Sequence, residues 1–162
     1  QFGIPLGLSY KGFDFSMLWQ GSALCSVQLS GPAVWDFPLY DQSRTGKVRK
    51  MHLNRWTPET AATATYPALP YGIHNNNKQQ YSSLFLYDAS YIRLKNVEIG
   101  YTLPKAWTSK AGIQSVRIYA QGQNLLTFDR LGDVDMDPEI KNGDGSWFPV
   151  QRVVNLGINM TF

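Results

Sequence analysis

A chain of 162 residues, 43% hydrophobic and 14% aromatic, is long and apolar enough to fold, yet only 17% of it is charged, against roughly 25% in an ordinary soluble domain. The net charge of +3 is too small to point to nucleic acid. The single cysteine, Cys25, excludes an internal disulfide framework, and no run of about 18 apolar residues provides a membrane-spanning helix. Aromatic-rich, charge-poor and of modest mean hydropathy (-0.28) is the composition that alternating membrane strands produce, because polar residues on one face dilute apolar ones on the other.

Phe2, Ile4, Leu6, Leu8 and Tyr10 alternate with mostly small residues, and after Lys11-Gly12 the apolar set resumes at Phe13, Phe15, Met17 and Trp19. A period of two is the strand period. The change of parity across a two-residue link ending in Gly predicts a hairpin, with strands over about 2–10 and 13–24. From 25 to 83 the periodicity is lost. Pro32, Pro38, Pro58, Pro67 and Pro70 and the run Asn75-Asn76-Asn77 predict a long loop, acceptable outside a membrane barrel but not inside a compact soluble domain. Its basic cluster, Arg44, Lys47, Arg49, Lys50, His52 and Arg55, reads as a solvated surface or as a contact for anionic lipid headgroups, an anionic ligand or an acidic partner.

The next strand is expected over about 84–103 and ends at Pro104, which cannot donate to a ladder. Val97, Ile99 and Tyr101 share one face, but Ile92 and Leu94 fall in the opposite parity. That requires a bulge near Asn96 or a strand rising above the membrane. One helical turn is expected over 105–112, a strand over 115–128, a polar loop over 129–148 and a last strand over 149–162. Val154, Leu156, Ile158, Met160 and Phe162 alternate there with Asn155, Gly157, Asn159 and Thr161. The connections run short, long, short, medium. With short turns toward the periplasm, both long loops lie outside and the chain ends on the periplasmic side. About five antiparallel strands cannot close a barrel, and the chain starts without Met or a signal segment. It is therefore expected to be the C-terminal piece of a longer wall.

Several segments resemble the SusC/RagA family of TonB-linked outer-membrane proteins. They are D-A-S-Y-I-R-L-K-N-V-E-I-G-Y-T-L-P at Asp88–Pro104, G-I-Q-S-V-R-I-Y-A-Q-G-Q-N-L-L-T-F at Gly112–Phe128, Asp137-Pro138-Glu139, Arg55-Trp56-Thr57-Pro58-Glu59, Tyr10–Ser22 and the ending N-L-G-I-N-M-T-F. The resemblance implies an all-β fold: the last strands of a plugged barrel of about 22 strands. It implies import of nutrients, mostly glycans and in some members peptides, with a SusD-like surface lipoprotein as lid. The plug, the rest of the barrel and the TonB contact would lie in segments not in this chain. No cofactor and no nucleic acid are implied, and outer-membrane lipid surrounds the wall. A soluble β-sandwich that binds carbohydrate is the alternative, since it also combines period-two strands with surface rings.

Trp35, Trp56, Tyr66, Tyr71, Tyr87 and Trp147 lie in the outer loops, where rings either stack on sugars or anchor a lid protein or pack among themselves. Phe13, Trp19, Tyr101, Trp107 and Phe162 fit an interfacial girdle, and Phe162 is the candidate assembly signal. Glu98, Arg117, Gln121, Gln123 and Asn155 are expected to line the lumen. Asp133, Asp135 and Asp137 form D-x-D-x-D, a weak calcium candidate. Pro138 stands where a calcium loop needs Gly and Asp144 where it needs Glu, so a turn-forming acidic loop accounts for them. His52 and His74 lack further ligands at zinc spacing, and Cys25 reads as a strand residue near the membrane. No nucleophile, phosphate-binding or dinucleotide motif is present, so no enzymatic activity is expected.

Overall fold

The computed structural model describes residues 1–30, 49–69, 81–140, 143–145 and 147–162. They form two compact units: Gln1–Ala23, Tyr91–Phe128 and Val150–Phe162, and Leu24–Ser90 with Asp129–Pro149.

The first unit is a five-stranded antiparallel sheet in the order β1 (Phe2–Tyr10), β2 (Phe13–Ser22), β5 (Tyr91–Thr102), β6 (Ser115–Asp129), β7 (Val153–Thr161). The sheet is open, with β1 and β7 at its edges. Lys11 and Gly12 make the β1–β2 turn with φ of 47° and 88°, the double positive φ of a tight hairpin whose twist matches its strands. Between β5 and β6 the chain makes one helical turn at Lys105–Thr108 and a 3-10 turn at Ser109–Ala111. Gly112, at φ 71°, ends it in the left-handed conformation that glycine adopts without strain. The β2–β5 and β6–β7 connections leave from the opposite end of the sheet.

Register sorts the side chains. Tyr10 faces Phe13, Leu8 faces Phe15, Leu6 faces Met17 and Ile4 faces Trp19. Phe13, Phe15 and Met17 in turn face Tyr101, Ile99 and Val97. The same apolar face continues with Val116 opposite Met160, Ile118 opposite Ile158 and Ala120 opposite Leu156. The parity conflict in β5 is resolved by a bulge. Leu18 pairs with Asn96 but Trp19 pairs with Leu94, so Lys95 is the extra residue. It returns Leu94 and Ile92 to the apolar face. Rings mark both ends: Phe13 and Tyr101 at the short-turn end (centroids 4.4 Å apart) and Trp19 and Phe128 at the other (6.4 Å). Trp19 thus belongs to a different ring band from Phe13. From Phe2 to Tyr10 the strand runs roughly 26 Å, the scale of a membrane barrel's apolar band.

The second unit corrects the expectation of an irregular loop. Among the described residues Val27, Leu29, Met51, Tyr66, Phe85, Ala89, Leu131 and Val134 form a buried core. A two-stranded sheet pairs β3 (Ser26–Gln28) with β4 (Leu86–Asp88). The strand expected over 84–103 is therefore two strands. The Asp88 carboxylate accepts the Ser90 N–H (2.9 Å), an Asx-type turn that interrupts the ladder. Leu24, at φ 55°, breaks the extended run after β2 short of the expected boundary. Cys25 is also corrected: it packs half-buried against this core and is not a residue of a wall strand. The two connections are knitted together. Ser30 N donates to the Gly143 carbonyl (2.9 Å) and the Arg49 guanidinium to the Gly145 carbonyl (2.9 Å).

Candidate functional site

The sheet face opposite the apolar one is polar, and Arg117 organises it. Its Nε donates to Asp14 Oδ2 (3.0 Å) and its Nη2 to Glu98 Oε1 (2.6 Å) and to Asp14 Oδ1. One guanidinium thereby joins β2, β5 and β6, with the bidentate fork that arginine alone offers a carboxylate. It lies across Gly100, where an added Cβ would come 2.6 Å from Cζ. Its Cζ is 5.1 Å from the Tyr119 ring centroid, and that ring covers Gly157. Gln121 pairs with Asn155, Arg117 with Asn159 and Gln123 with Val153, so Glu98, Arg117, Gln121, Gln123 and Asn155 lie on one face. The sequence reading missed Asp14 as the partner of Arg117. Its even position opposite the apolar parity of β2 was the available signal.

The loop unit holds a cavity of about 290 Å³. Met51, Leu131, Val134 and the Tyr66 and Tyr87 rings give it an apolar floor, and Asn54, Thr65, Arg130 and Asp133 give it polar walls. Its charges are compensated. Lys50 Nζ is 3.2 Å from Asp133 Oδ1, Asn54 Nδ2 donates to Asp133 Oδ2 (3.2 Å), and Arg130 Nη1 lies 3.3 Å from Asp88 Oδ2. Burial first, and then the Asp133 carboxylate, raise the Tyr87 phenol above its ordinary value. The phenol therefore stays protonated and able to donate. Nothing in the sequence announces this cavity, because its lining comes from four separated stretches.

The expected loop rings divide. Tyr66 is a correction: it is only 4% exposed, packed 4.8 Å from the His52 ring and 6.1 Å from Phe85, so neither ring face is available to stack on a ligand. Tyr87 is half-buried at the cavity. Trp56 and Trp147 are exposed at 46% and 64%. Trp35 and Tyr71 lie outside the described residues, as do Arg44, Lys47 and His74. Two aspartates of the weak calcium candidate have hydrogen-bond partners within the loop unit. Asp133 is engaged by Lys50 and Asn54, and Asp137 Oδ1 accepts the Glu139 N–H (2.9 Å). Among the described residues no three metal-ligating side chains converge. Phe162 continues the apolar parity of β7 and is exposed.

The Asp88 carboxyl is held below its ordinary value, chiefly by hydrogen bonds from Ser90 and then by Arg130. A depressed folded pKa contributes stability that is present above the unfolded value of about 3.9 and is lost as pH falls through the folded one. Acid should therefore loosen the β4 end of the loop unit. Pepsin cleavage there should rise as pH falls from about 5 to about 2, and Asp88→Asn should flatten that dependence.

No family model matches the chain. It is 30% identical over 173 residues to TonB-dependent receptor P3 of Formosa agariphila, covering 99% of this chain and 16% of that protein. It is 25% identical over 163 residues to TonB-dependent receptor SusC of Bacteroides thetaiotaomicron, covering 99% and 15%. Among solved structures it is similar to the RagAB peptide importer in the open-open state, with a TM-score of 0.70 and 26% identity, over 99% of this chain and 17% of that one. The chain thus spans about one sixth of the length of the proteins it matches.

Proposed function

From its likeness to TonB-dependent receptors and to the RagAB importer, we propose that this chain supplies five adjacent strands of the wall of an outer-membrane nutrient importer of Gram-negative bacteria. The observation that carries this reading is the two-sided sheet. Its apolar face is uncovered, with Leu156 83% exposed, which water penalises and lipid does not. The only other sheet among the described residues has two strands, too few to cover five as a sandwich would. Glu98, Arg117, Gln121, Gln123 and Asn155 then face the lumen. The unpaired edges of β1 and β7 meet further strands of a barrel of about 22, and the remainder of the receptor supplies the plug and the TonB contact. The short turns and Phe162 lie on the periplasmic side and the loop unit outside.

A SusD-like lipoprotein closes the outer mouth, with Trp56 and Trp147 as anchors of the kind that dominate interfaces. The substrate class that fits the loop cavity is a neutral oligosaccharide. Each charge at the cavity already has a counter-ion, so a ligand rich in hydroxyls exchanges hydrogen bonds there without breaking an ion pair, while the Tyr87 ring offers apolar contact. Likeness to the RagAB peptide importer favours peptide as the second reading. Uptake of labelled oligosaccharides and oligopeptides by cells with and without the receptor tests both. Oligosaccharide uptake should vanish with the receptor or with TonB, and uptake indifferent to both losses would overturn the function.

A further inference from the structure

The short-turn end of the sheet is a basic rim. Lys11 occupies the β1–β2 turn, Lys105 and Lys110 occupy the β5–β6 connection, and neither Lys11-Gly12 nor Leu103–Gln114 contains an acidic residue. The two turns abut: Thr102 N donates to the Gly12 carbonyl (2.7 Å). The Lys11 ammonium lies 5.2 Å from the Tyr10 ring centroid. Tyr10 stands opposite Phe13 in the apolar face, so this charge sits on the side that meets lipid. Trp107, between the other two lysines, is 67% exposed. The nearby acids, Asp14 and Glu98, belong to the polar face, where Arg117 holds them. Among the described residues no carboxylate pairs with Lys11, Lys105 or Lys110.

We propose that this rim binds the headgroup of an anionic phospholipid, an inference that rests on the wall reading above and goes beyond it. The chemistry is a match of shape and sign. A phospholipid presents its phosphate at the edge of the apolar band and its acyl chains along the band itself. The three ammonium groups meet the phosphate and the glycerol-linked anionic group. Tyr10, Phe13 and Tyr101 lie against the first acyl carbons, and Trp107 sits at headgroup depth, where its amphipathic ring is favoured. Charge complementarity selects an anionic lipid over a zwitterionic one, whose own ammonium the lysines repel. An acidic protein would match the charge but not the continuous apolar face below it. With each lysine worth about 1 kcal/mol near an anionic surface, its loss weakens binding roughly fivefold.

The test uses the whole receptor, reconstituted in nanodiscs of mixed phosphatidylglycerol and phosphatidylcholine, extracted gently and weighed intact with its retained lipid. The wild type should hold phosphatidylglycerol preferentially. Joint Lys11→Gln, Lys105→Gln and Lys110→Gln should lower that preference by at least about tenfold. The corresponding three Lys→Arg changes should keep it, as should Arg152→Gln, an exposed cation at the other end of β7. Added salt should weaken it. An unchanged preference in the triple Gln variant, or an equal loss with Arg152→Gln, overturns the site. Failure of the wall reading shows separately and earlier: the receptor would be recovered from the aqueous fraction without detergent.

Discussion

A receptor carrying Leu156→Arg is expected to lose about 2–4 kcal/mol of folding stability in a bilayer, whereas Asn155→Arg, one residue away, should stay within about 0.5 kcal/mol of the wild type. The contrast follows from the strand period. Leu156 sits within β7 opposite Ala120 on the apolar face, and Asn155 stands opposite Gln121 on the polar one. An arginine on the lipid side must shed water, thin the bilayer or snorkel to its edge; one on the lumen side stays hydrated. In water the order would vanish, since Leu156 is exposed and its replacement by a charge would cost nothing. Equilibrium unfolding from lipid vesicles in urea, read by heat-modifiable migration, measures both variants. Equal stabilities would remove the lipid assignment of that face.

Arg117→Met should cost about 1–3 kcal/mol. Two carboxylates, Asp14 and Glu98, converge on Nη2, and removing the guanidinium leaves them facing each other without a cation. Full burial would make such a break worth roughly 3–5 kcal/mol. The side chains keep 24%, 35% and 28% of their exposure at Arg117, Asp14 and Glu98, and water recovers part of that cost. Arg117→Lys should restore little, because a single ammonium cannot fork across Asp14 while reaching Glu98. Combining Arg117→Met with Asp14→Asn and Glu98→Gln should bring stability back toward the wild type, since no unpaired charge remains. The same vesicle unfolding decides the matter, and an Arg117→Met receptor as stable as the wild type would deny the clasp any energetic role.

Both outcomes depend on features of unequal legibility. The two faces of the sheet were readable from residue order alone, because alternation is a local property of an extended chain: Phe13, Phe15 and Met17 had to share a side whatever they paired with. The parity break in β5 was readable as a conflict but not as a solution. Whether Ile92 and Leu94 leave the membrane or are brought back by an extra residue depends on what stands opposite. The answer is Trp19, paired with Leu94 across the Lys95 bulge. Arg117 was readable as a polar-face residue. Its role as a clasp was not, because Asp14 is 103 positions away and only strand order brings it near.

The loop unit marks the limit most sharply. From order alone Tyr66 reads equally as a ring displayed to ligand or as loop packing, and the structure makes it part of a core with Phe85, Leu29 and Leu131. A core made of apolar residues drawn from five short stretches leaves no periodic trace, since each stretch contributes one or two side chains and no repeating face. The sequence by itself determined the strand class, the tight turn at Lys11-Gly12 and the two-sided sheet, because these follow from backbone period and side-chain polarity over a few residues. The tertiary structure alone decided the bulge, the partners of Arg117, the cavity walls and the burial of Tyr66. Each of those depends on residues distant in the chain meeting in space, where packing and charge compensation override what any one stretch prefers.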